Sequence, residues 1–414
     1  MSLVVLFSRV ACVFLSFGLR CDAAGRRYEI KHGILKDQNS VIGNFTSQLQ
    51  SFIDSNYDPI SNSELSVATQ VNGTGLRYLE IEGEYKADVS LSLPSMFVLT
   101  LKGSLSPAAN LSMVGTPRFA AMVQLNNTRF SAVIGGTYDA SSLPKTSDDN
   151  ESRGGYMALS ITGGAYNAIR SVRAMANNSD SIIAINQSPH GEVADCVVGG
   201  DDGDLGLLQT RCIWTLATSQ ALVHDNHVKY CAFHALDFDA FTSNSAAYNN
   251  FCEQNGQEGI FLEESAEQNV LVNNTCQNNE NGIGVYSNAV GPVANNFVLN
   301  NVLVNNRRNG LTAGGLGDTE AKISLQNIFA SNHIAGNAWD RSDTPWGPAP
   351  KSQVNPAHGA TSGDFWSDNT IIGDNRYEEG NIPENASLLV IFEPEQEESE
   401  RETDRHDQGA MLVG

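Results

Sequence analysis

The sequence predicts an all-β fold, a right-handed parallel β-helix whose stacked coils hold roughly two dozen residues each and whose first coil carries a short capping helix. Segments of one pattern recur at 223–240, 247–264, 271–288 and 298–315, at offsets of 24, 24 and 27 residues. Two columns run through these segments. The first holds Asn226, Asn250, Asn274 and Asn301; the second holds Ala235, Gly259, Gly282 and Gly310.

Each column has a physical reason in parallel stacking. Asn side chains can hydrogen-bond along a stack as amide ladders, and Gly suits a tight corner between strands. Short β-branched and apolar runs broken by Gly, Pro and Asn extend the strand pattern over 60–165, and a weaker copy lies at 325–339. The β-helix is therefore expected over 60–375, including a Pro/Gly-rich loop at 340–363 and a last strand pair near Asn369 to Ile372.

The two ends of the chain have their own signals. An apolar run at 10–19 followed by small residues predicts a signal peptide over 1–24. Residues 25–60 are expected to form the N-terminal cap, with a helix over 39–55 that has apolar residues at helical spacing. The highly charged segment 393–414 has no core-forming pattern and is expected to be a disordered tail.

The overall charge limits the partners. The formal net charge is −22, which argues against nucleic acid and disfavours anionic membranes. It does not exclude an acidic polysaccharide as partner, because a local basic cleft can overrule the net charge, and we expect a secreted, extracellular monomer.

Glycosylation sequons and cysteines agree with secretion. The sequons lie at Asn44, Asn72, Asn110, Asn126, Asn150, Asn177, Asn186, Asn273 and Asn385. Beyond Cys21 five cysteines remain, so at least one thiol should stay free, and Cys252 and Cys276 are expected to stack as core thiols. The cysteines predict no zinc site, because no C-x-x-C pair occurs.

Strand alternation locates a candidate active site. In ALDFDA, Leu236 and Phe238 point inward, so Asp237 and Asp239 point out of the coil. In GIFLEE the outward residues are Phe261 and Glu263. The repeat places Asp239, Glu263 and Tyr286 in one outward column, and Asp237, Phe261 and Gly284 in the neighbouring column.

Carboxylates on neighbouring coils would lie about 5 Å apart, the separation of a retaining glycosidase. Asp239 and Glu263 are the first candidates for this pair, with Asp237 and Glu264 in reserve. Two other interpretations remain open. The acids could form a solvated surface, or Asp237, Asp239 and Glu263 could bind calcium, whose ligands are hard oxygen atoms. No other cofactor is expected.

Basic and aromatic residues suggest a second chemistry. His234 precedes Asp237 by three residues and is a further catalytic candidate. A polyuronate lyase or epimerase must neutralise a carboxylate and move a proton, which is work for Arg, Lys, His and Tyr. Side chains that could bind substrate in this way, or by stacking, are Lys229, Phe261, Tyr286, Arg307 and Arg308.

The Asn and Gly columns resemble the pectate-lyase-like family of right-handed parallel β-helix proteins, which includes polysaccharide lyases, uronan C5-epimerases and glycoside hydrolases. The segment HALDFDA resembles the Asp/His-rich motif of the epimerases, although Phe238 stands where a His would be expected. The resemblance implies a carbohydrate-active enzyme, and the acids favour a glycoside hydrolase. A polyuronate lyase or epimerase and a non-catalytic carbohydrate-binding protein are the alternatives.

Overall fold

The structure is a computed structural model that describes residues 45–55, 76–112, 120–143, 156–177, 179–200, 211–287, 291–315, 324–338, 354–356, 361–372 and 388–391. The described residues form two compact units; unit 1 ends at Asn226 and unit 2 begins at His227. The predicted signal peptide and the acidic tail lie outside the described residues. Within the described part of the chain, no helix is long and apolar enough to cross a membrane.

Unit 1 begins with one helix, α1 (Phe45–Ser55), inside the segment predicted to be the cap. Leu49 and Ile53, one helical turn apart, are buried, as the apolar spacing predicts. The helix is also tied to the first strands, because the Ser47 amide donates to Asp88 (3.0 Å) and Gln50 accepts from the Ser92 amide (2.8 Å).

The strands of unit 1 form two parallel sheets. The first sheet contains β1 (Arg77–Val89), β3 (Phe97–Ser112), β5 (Ala132–Ile134), β6 (Thr137–Ala140), β8 (Ala168–Arg170), β9 (Arg173–Ala176), β11 (Glu192–Ala194), β12 (Val197–Gly199) and β14 (Leu222–His224). The second contains β2 (Leu91–Ser92), β4 (Ala121–Asn126), β7 (Met157–Thr162), β10 (Ser181–Asn186) and β13 (Arg211–Leu216). Four side chains of the second sheet, those of Ala121, Met157, Ala184 and Trp214, form a buried hydrophobic cluster.

Unit 2 continues the pattern with three parallel sheets. The first contains β15 (His227–Lys229), β17 (Ala246–Tyr248), β18 (Phe251–Glu253), β20 (Val270–Val272), β21 (Thr275–Gln277), β24 (Phe297–Leu299), β25 (Val302–Val304), β28 (Ile328–Ala330), β29 (His333–Ala335), β32 (Phe365–Ser367), β33 (Asn369–Ile372) and β34 (Leu388–Ile391). The second contains β16 (Leu236–Asp239), β19 (Glu258–Leu262), β22 (Asn281–Ser287), β26 (Leu311–Gly315) and β30 (Val354–Pro356). The third contains β23 (Val293–Ala294), β27 (Ser324–Leu325) and β31 (Thr361–Ser362).

These sheets confirm the predicted right-handed parallel β-helix. Strand β33 has the predicted bounds, Asn369–Ile372. The segment 340–363 differs from the prediction of a loop, because β30 and β31 lie in it. These short strands pair with β26 and β27, so the stack uses them to satisfy backbone groups that a loop would leave to water.

The Asn column of unit 2 is a buried amide ladder. Asn250 donates to Asn274 (2.9 Å), Asn274 donates to Asn301 (3.0 Å), and the ladder continues through Asn332 to Asn369. Each rung also binds backbone; Asn274, for example, donates to the Ala247 carbonyl (3.0 Å). Two parallel ladders run from Asn255 to Asn337 and from Asn269 to Asp364.

The residue before each ladder Asn forms the corner of the coil. Asn249, Asn273, Asn300, Ser331 and Asp368 all have positive φ, between 54° and 57°. This left-handed conformation turns the chain at the corner, and Asn and Asp tolerate it better than most residues. The Asn–Asn pairs of the sequence therefore combine a corner residue and a ladder residue.

The Gly column is explained by close backbone contact between coils. A Cβ on Gly282 would lie 2.3 Å from the Gly310 carbonyl oxygen, and a Cβ on Gly259 would lie 2.8 Å from the Gly282 oxygen. No larger residue fits at these corners without moving the neighbouring coil.

The cysteine predictions are confirmed where the structure tests them. Cys252 and Cys276 are in register on β18 and β21 and are free, fully buried core thiols. Cys196 is also free, whereas Cys212 and Cys231 are disulfide-bonded.

Candidate functional site

Neighbouring strands of unit 2 bring the predicted acids together. Asp237 on β16 is in register with Phe261 on β19 and Gly284 on β22, as the repeat predicts. The Glu263 amide still donates to the Phe238 carbonyl (2.9 Å), so the pairing continues past the end of β19. Asp239 and Glu263 are the next residues after the last paired position, Phe238 with Leu262.

The inward residues of these strands fill the core. Leu236, Ile260 and Ile283 form one buried column, and Phe238 and Leu262 belong to the next. Since alternate residues point to opposite faces, the acids lie on the outer face of the same sheet.

The outer face is buried, which corrects one interpretation. Asp237 is 0% exposed, Asp239 is 6% exposed and Glu263 is 7% exposed. The interpretation of these carboxylates as a solvated surface is therefore wrong. Alternation along a strand shows which way a side chain points, but it does not show what covers that face.

A polar and aromatic cluster lies beside the acids. His234 Nδ1 is 2.7 Å from Glu258 Oε2, and the other oxygen, Oε1, accepts from the Tyr286 hydroxyl (2.8 Å) and the Asn281 amide (3.0 Å). The ring of Phe261 packs between two of these side chains, with its centroid 4.6 Å from that of His234 and 4.5 Å from that of Tyr286.

Gly284 makes room for this cluster. A Cβ at this position would lie 2.9 Å from the Tyr286 ring, 3.0 Å from Glu258 Cγ and 3.1 Å from the Phe261 ring. The outward direction predicted for Phe261, Gly284 and Tyr286 is thus confirmed, because all three meet on one face.

Glu258 was not among the residues that the sequence pointed to. Glu258 lies two residues before Ile260 and four before Leu262, which both point inward, so alternation alone would place its side chain in the core. The chain bends at Gly259, where a Cβ would point at Cys276 in the core, and this bend returns Glu258 to the outer face. The Gly column that marks the corner was the available signal.

The cluster sets the protonation of its members. Burial alone would raise the pKa of the Glu258 carboxyl, but His234 and the Tyr286 hydroxyl stabilise the carboxylate and hold its pKa below the usual value. Burial raises the pKa of the Tyr286 phenol well above its usual value, and the negative charges of Glu258 and Glu263 raise it further. Tyr286 is therefore a protonated hydrogen-bond donor at neutral pH.

The predicted basic residues contact other groups. Arg307 donates to the Gly256 carbonyl (3.1 Å), and Arg308 forms an ion pair with Glu280 (2.9 Å). Lys229 is on β15, in a different sheet from the acids, with its ammonium 5.3 Å from the Tyr230 ring centroid. Among the predicted basic side chains, His234 contacts the buried carboxylate of Glu258.

Three residues of the site could hold a metal ion. Among the residues that the structure describes, His234, Asp237 and Glu263 form one group whose ligand atoms all lie within 4.8 Å of one another. All three are buried, and they offer one nitrogen and two carboxylate ligands.

Comparison with solved structures places the fold among parallel β-helix proteins. The A-module of mannuronan C-5 epimerase AlgE6 from Azotobacter vinelandii matches with a TM-score of 0.55 and 15% identity, over 85% of this chain and 96% of that one. Endopolygalacturonase I from Stereum purpureum, complexed with two galacturonate, matches with a TM-score of 0.51 and 13% identity, over 76% of this chain and 93% of that one.

A third match differs in length. The Dettilon tailspike protein (gp208) has a TM-score of 0.52 and 13% identity over 76% of this chain, and this chain spans 62% of the tailspike chain. At these identities the likeness concerns the fold. No curated protein matches the sequence.

A family model described as "Periplasmic copper-binding protein (NosD)" matches residues 136–344, half of the chain. Copper(I) is bound by thiolate and thioether ligands, whereas copper(II) suits nitrogen and oxygen ligands. The nitrogen and carboxylate donors of His234, Asp237 and Glu263 fit a divalent ion, and the thiols of Cys252 and Cys276 are enclosed in the core. By the family model and by its fold, the chain belongs to the NosD family and is a pectate-lyase-like right-handed parallel β-helix protein.

Proposed function

We propose that this protein is a secreted carbohydrate-active enzyme, a glycoside hydrolase that cleaves a cell-wall or extracellular polysaccharide. The observation that supports the proposal is the parallel register of β16 and β19 through Phe238 and Leu262, since Asp239 and Glu263 are the buried acids that follow these two residues. Solved β-helix proteins of similar fold include a polygalacturonase and an epimerase, and this precedent is consistent with the proposal.

The chemistry follows from the spacing of the coils. Asp239 acts as nucleophile or base, and Glu263 acts as the general acid that protonates the leaving oxygen. Carboxyl groups about 5 Å apart leave no room for a water molecule between acid and base, so the expected course is retention through a covalent glycosyl-enzyme intermediate. Burial of both groups strengthens their interaction with the charge that develops on the sugar ring.

The charge of the site favours a neutral sugar as substrate. A uronate carboxylate would approach Asp237, Asp239, Glu258 and Glu263, all buried on one face, with His234 as the one predicted basic residue beside them. Arg308 forms an ion pair with Glu280, and Arg307 donates to a backbone carbonyl.

A polyuronate lyase or C5-epimerase is the second candidate, supported by Glu258, which lies 2.7 Å from His234 through one carboxylate oxygen and accepts from the Tyr286 hydroxyl through the other. In that reaction His234 would take the C5 proton and the Tyr286 phenol would return a proton or protonate the leaving group.

Two features support secretion. Cys212 and Cys231 are disulfide-bonded, which suits an oxidising compartment. The sequon residues Asn126 and Asn273 are exposed, whereas Asn186 is buried, so glycosylation is proposed at the first two.

The test is a panel of neutral and acidic polysaccharides assayed by two signals. A hydrolase releases reducing ends, and a lyase also produces an unsaturated sugar that absorbs in the ultraviolet. We expect reducing ends without the ultraviolet signal, on a neutral polysaccharide. Ultraviolet absorbance on a polyuronate would identify a lyase instead of a hydrolase. Epimerisation without chain cleavage would identify an epimerase. Binding of a polysaccharide without cleavage or epimerisation would identify a carbohydrate-binding protein.

The residues are tested on whichever polysaccharide is cleaved. Glu263→Gln and Asp239→Asn should each abolish turnover and leave the protein folded. Glu253→Gln is the matched control, since Glu253 also faces a histidine, His227, at 2.8 Å but lies in another sheet. Full activity of Glu263→Gln would end the assignment.

A further inference from the structure

We infer that His234, Asp237 and Glu263 form a binding site for a first-row divalent transition-metal ion. Their ligand atoms lie within 4.8 Å of one another, and a transition-metal ion sits about 2.0–2.2 Å from each of its nitrogen and oxygen ligands. One ion can therefore reach all three atoms after small side-chain rotations.

The second observation concerns the orientation of His234. A histidine that binds a metal usually has a carboxylate on its other ring nitrogen, which fixes the tautomer and strengthens the ligand. Glu258 Oε2 lies 2.7 Å from His234 Nδ1, so Nε2 is the ring nitrogen for the ion. Glu258 is itself fixed by Tyr286 and Asn281, and Phe261 packs on the imidazole ring.

The charge of the cluster gives the reason for binding a cation. Buried carboxylates are stabilised when they are paired or when they coordinate a metal. Here Asp237, Asp239, Glu258 and Glu263 are all buried beside one imidazole. A divalent cation between Asp237 and Glu263 would add positive charge among these buried carboxylates.

The donor set selects among metals. Calcium prefers six to eight oxygen ligands, so His234, which offers a nitrogen atom, is a poor calcium ligand. One imidazole and two carboxylates suit Zn²⁺ and Cu²⁺, and the general order of affinity places Cu²⁺ above Zn²⁺. Calcium should bind more weakly than either.

Metal binding has a consequence that depends on the proposed function. Glu263 cannot coordinate the ion and also donate a proton to a leaving group. If Glu263 is the general acid, the metal is an inhibitor, and hydrolysis should fall as the site fills.

The binding test uses the metal-stripped full-length protein with Zn²⁺, Cu²⁺ or Ca²⁺ alone. Equilibrium dialysis followed by elemental analysis gives the stoichiometry, and thermal unfolding gives an independent signal, because an ion that binds the folded state raises Tm. We expect one Zn²⁺ or Cu²⁺ per chain with a raised Tm, and little effect of Ca²⁺.

The variants identify the ligands. His234→Gln and Asp237→Asn should remove both the bound ion and the rise in Tm. Glu258→Gln removes the carboxylate that orients His234, and it should weaken binding by about 10–100-fold. Any variant that fails to fold is set aside, and the others still decide the question. The matched control is His227→Gln, which should bind like the wild type.

The outcomes separate this inference from the proposed function. Equal Zn²⁺ affinity in wild type and His234→Gln would overturn the metal site, whatever the activity. Binding at the site without inhibition of hydrolysis would keep the metal site and remove Glu263 from the role of general acid. Absence of binding in a protein that Glu263→Gln inactivates would overturn the metal site and keep the hydrolase.

Discussion

Each unit contains a histidine that faces a buried glutamate, and the two clusters differ in the charged groups that surround this pair. In unit 1, Glu192 accepts from Arg170 (2.5 Å) and His224 (2.8 Å), and the other nitrogen of His224 lies 2.7 Å from Asp225. Two cationic groups meet two carboxylates there. In unit 2, His234 meets Glu258, and Asp237, Asp239 and Glu263 are buried close by.

The difference separates a structural cluster from a candidate functional one. The unit 1 cluster satisfies its own charges, so its parts are expected to stabilise the fold. The unit 2 cluster brings several buried carboxylates together beside one histidine, and like charges on adjacent strands oppose folding. Groups arranged against stability are often functional, so the unit 2 cluster is the candidate for binding a substrate, a proton or a metal ion.

The largest effect on stability is expected from Glu192→Gln. This change leaves Arg170 and His224 without the carboxylate that both contact. The cost should be about 3 kcal/mol, the lower end for breaking a buried ion pair, because Arg170 is 33% exposed and solvent screens its charge. The free energy of unfolding, measured in urea, checks the prediction. A loss below about 1 kcal/mol would mean that the unit 1 cluster is not a structural element.

Gly284→Ala is expected to have the next largest effect, and it tests the role of the unit 2 cluster directly. The added methyl group would meet Tyr286, Glu258 and Phe261 at 2.9–3.1 Å, and overpacking of this kind costs about 1–3 kcal/mol. Because the clash falls on the cluster, turnover should fall more than stability does. Unchanged turnover in a destabilised protein would place the cluster outside the active site.

Asn274→Leu gives the scale for a purely structural polar group in unit 2. Removing this amide leaves the Asn250 amide and the Ala247 carbonyl without their partner, at a cost of about 1–3 kcal/mol. Asn273→Gly, one residue earlier, keeps a residue that accepts positive φ and should change stability by a few tenths of a kcal/mol. An equal loss of unfolding free energy at the two positions would contradict the assignment of Asn274 as the ladder residue and Asn273 as the corner residue.

The smallest effect is the pH dependence of the unit 1 cluster. Burial alone would lower the pKa of His224, but Glu192 and Asp225 raise it above its usual value of 6.5, so its stabilisation is lost as pH rises through the raised pKa. Burial alone would raise the pKa of Glu192, but His224 and Arg170 lower it below its usual value of 4.5, so its stabilisation is lost as pH falls through the lowered pKa.

Both groups therefore contribute fully between pH 4.5 and pH 6.5. The stability difference between wild type and His224→Gln should be largest in this window and should shrink at higher pH. Unfolding curves at several pH values check the prediction, and a difference that does not change with pH would contradict the His224–Glu192 interaction.

The sequence predicts the scaffold better than the site, for physical reasons. Asn274 and Gly282 belong to columns because every coil has the same corner geometry. The same residue types therefore recur at each corner, and the register of the coils can be predicted from one sequence. The same register predicts that Asp237, Phe261 and Gly284 are neighbours. The role of Glu258 could not be predicted by alternation, because the bend at Gly259 resets the direction of the side chain.

Burial of the outer face was also beyond the reach of the pattern. Asp237 alternates with core residues as an exposed acid would, and its complete burial depends on groups that pack over the sheet. The ion pair of Arg308 with Glu280 likewise depends on distances between coils that no single repeat specifies. Local periodicity therefore predicts positions along the solenoid, and tertiary packing decides the chemical environment at each position.

The most direct test of the account measures turnover and unfolding free energy together in two glutamate variants. Glu263→Gln should lose turnover and keep or gain stability, because it removes one of several like charges. Glu192→Gln should lose stability and keep the turnover of its folded fraction. The reverse result, with Glu263→Gln active but destabilised by several kcal/mol, would show that the unit 2 carboxylates support the fold and would contradict the account.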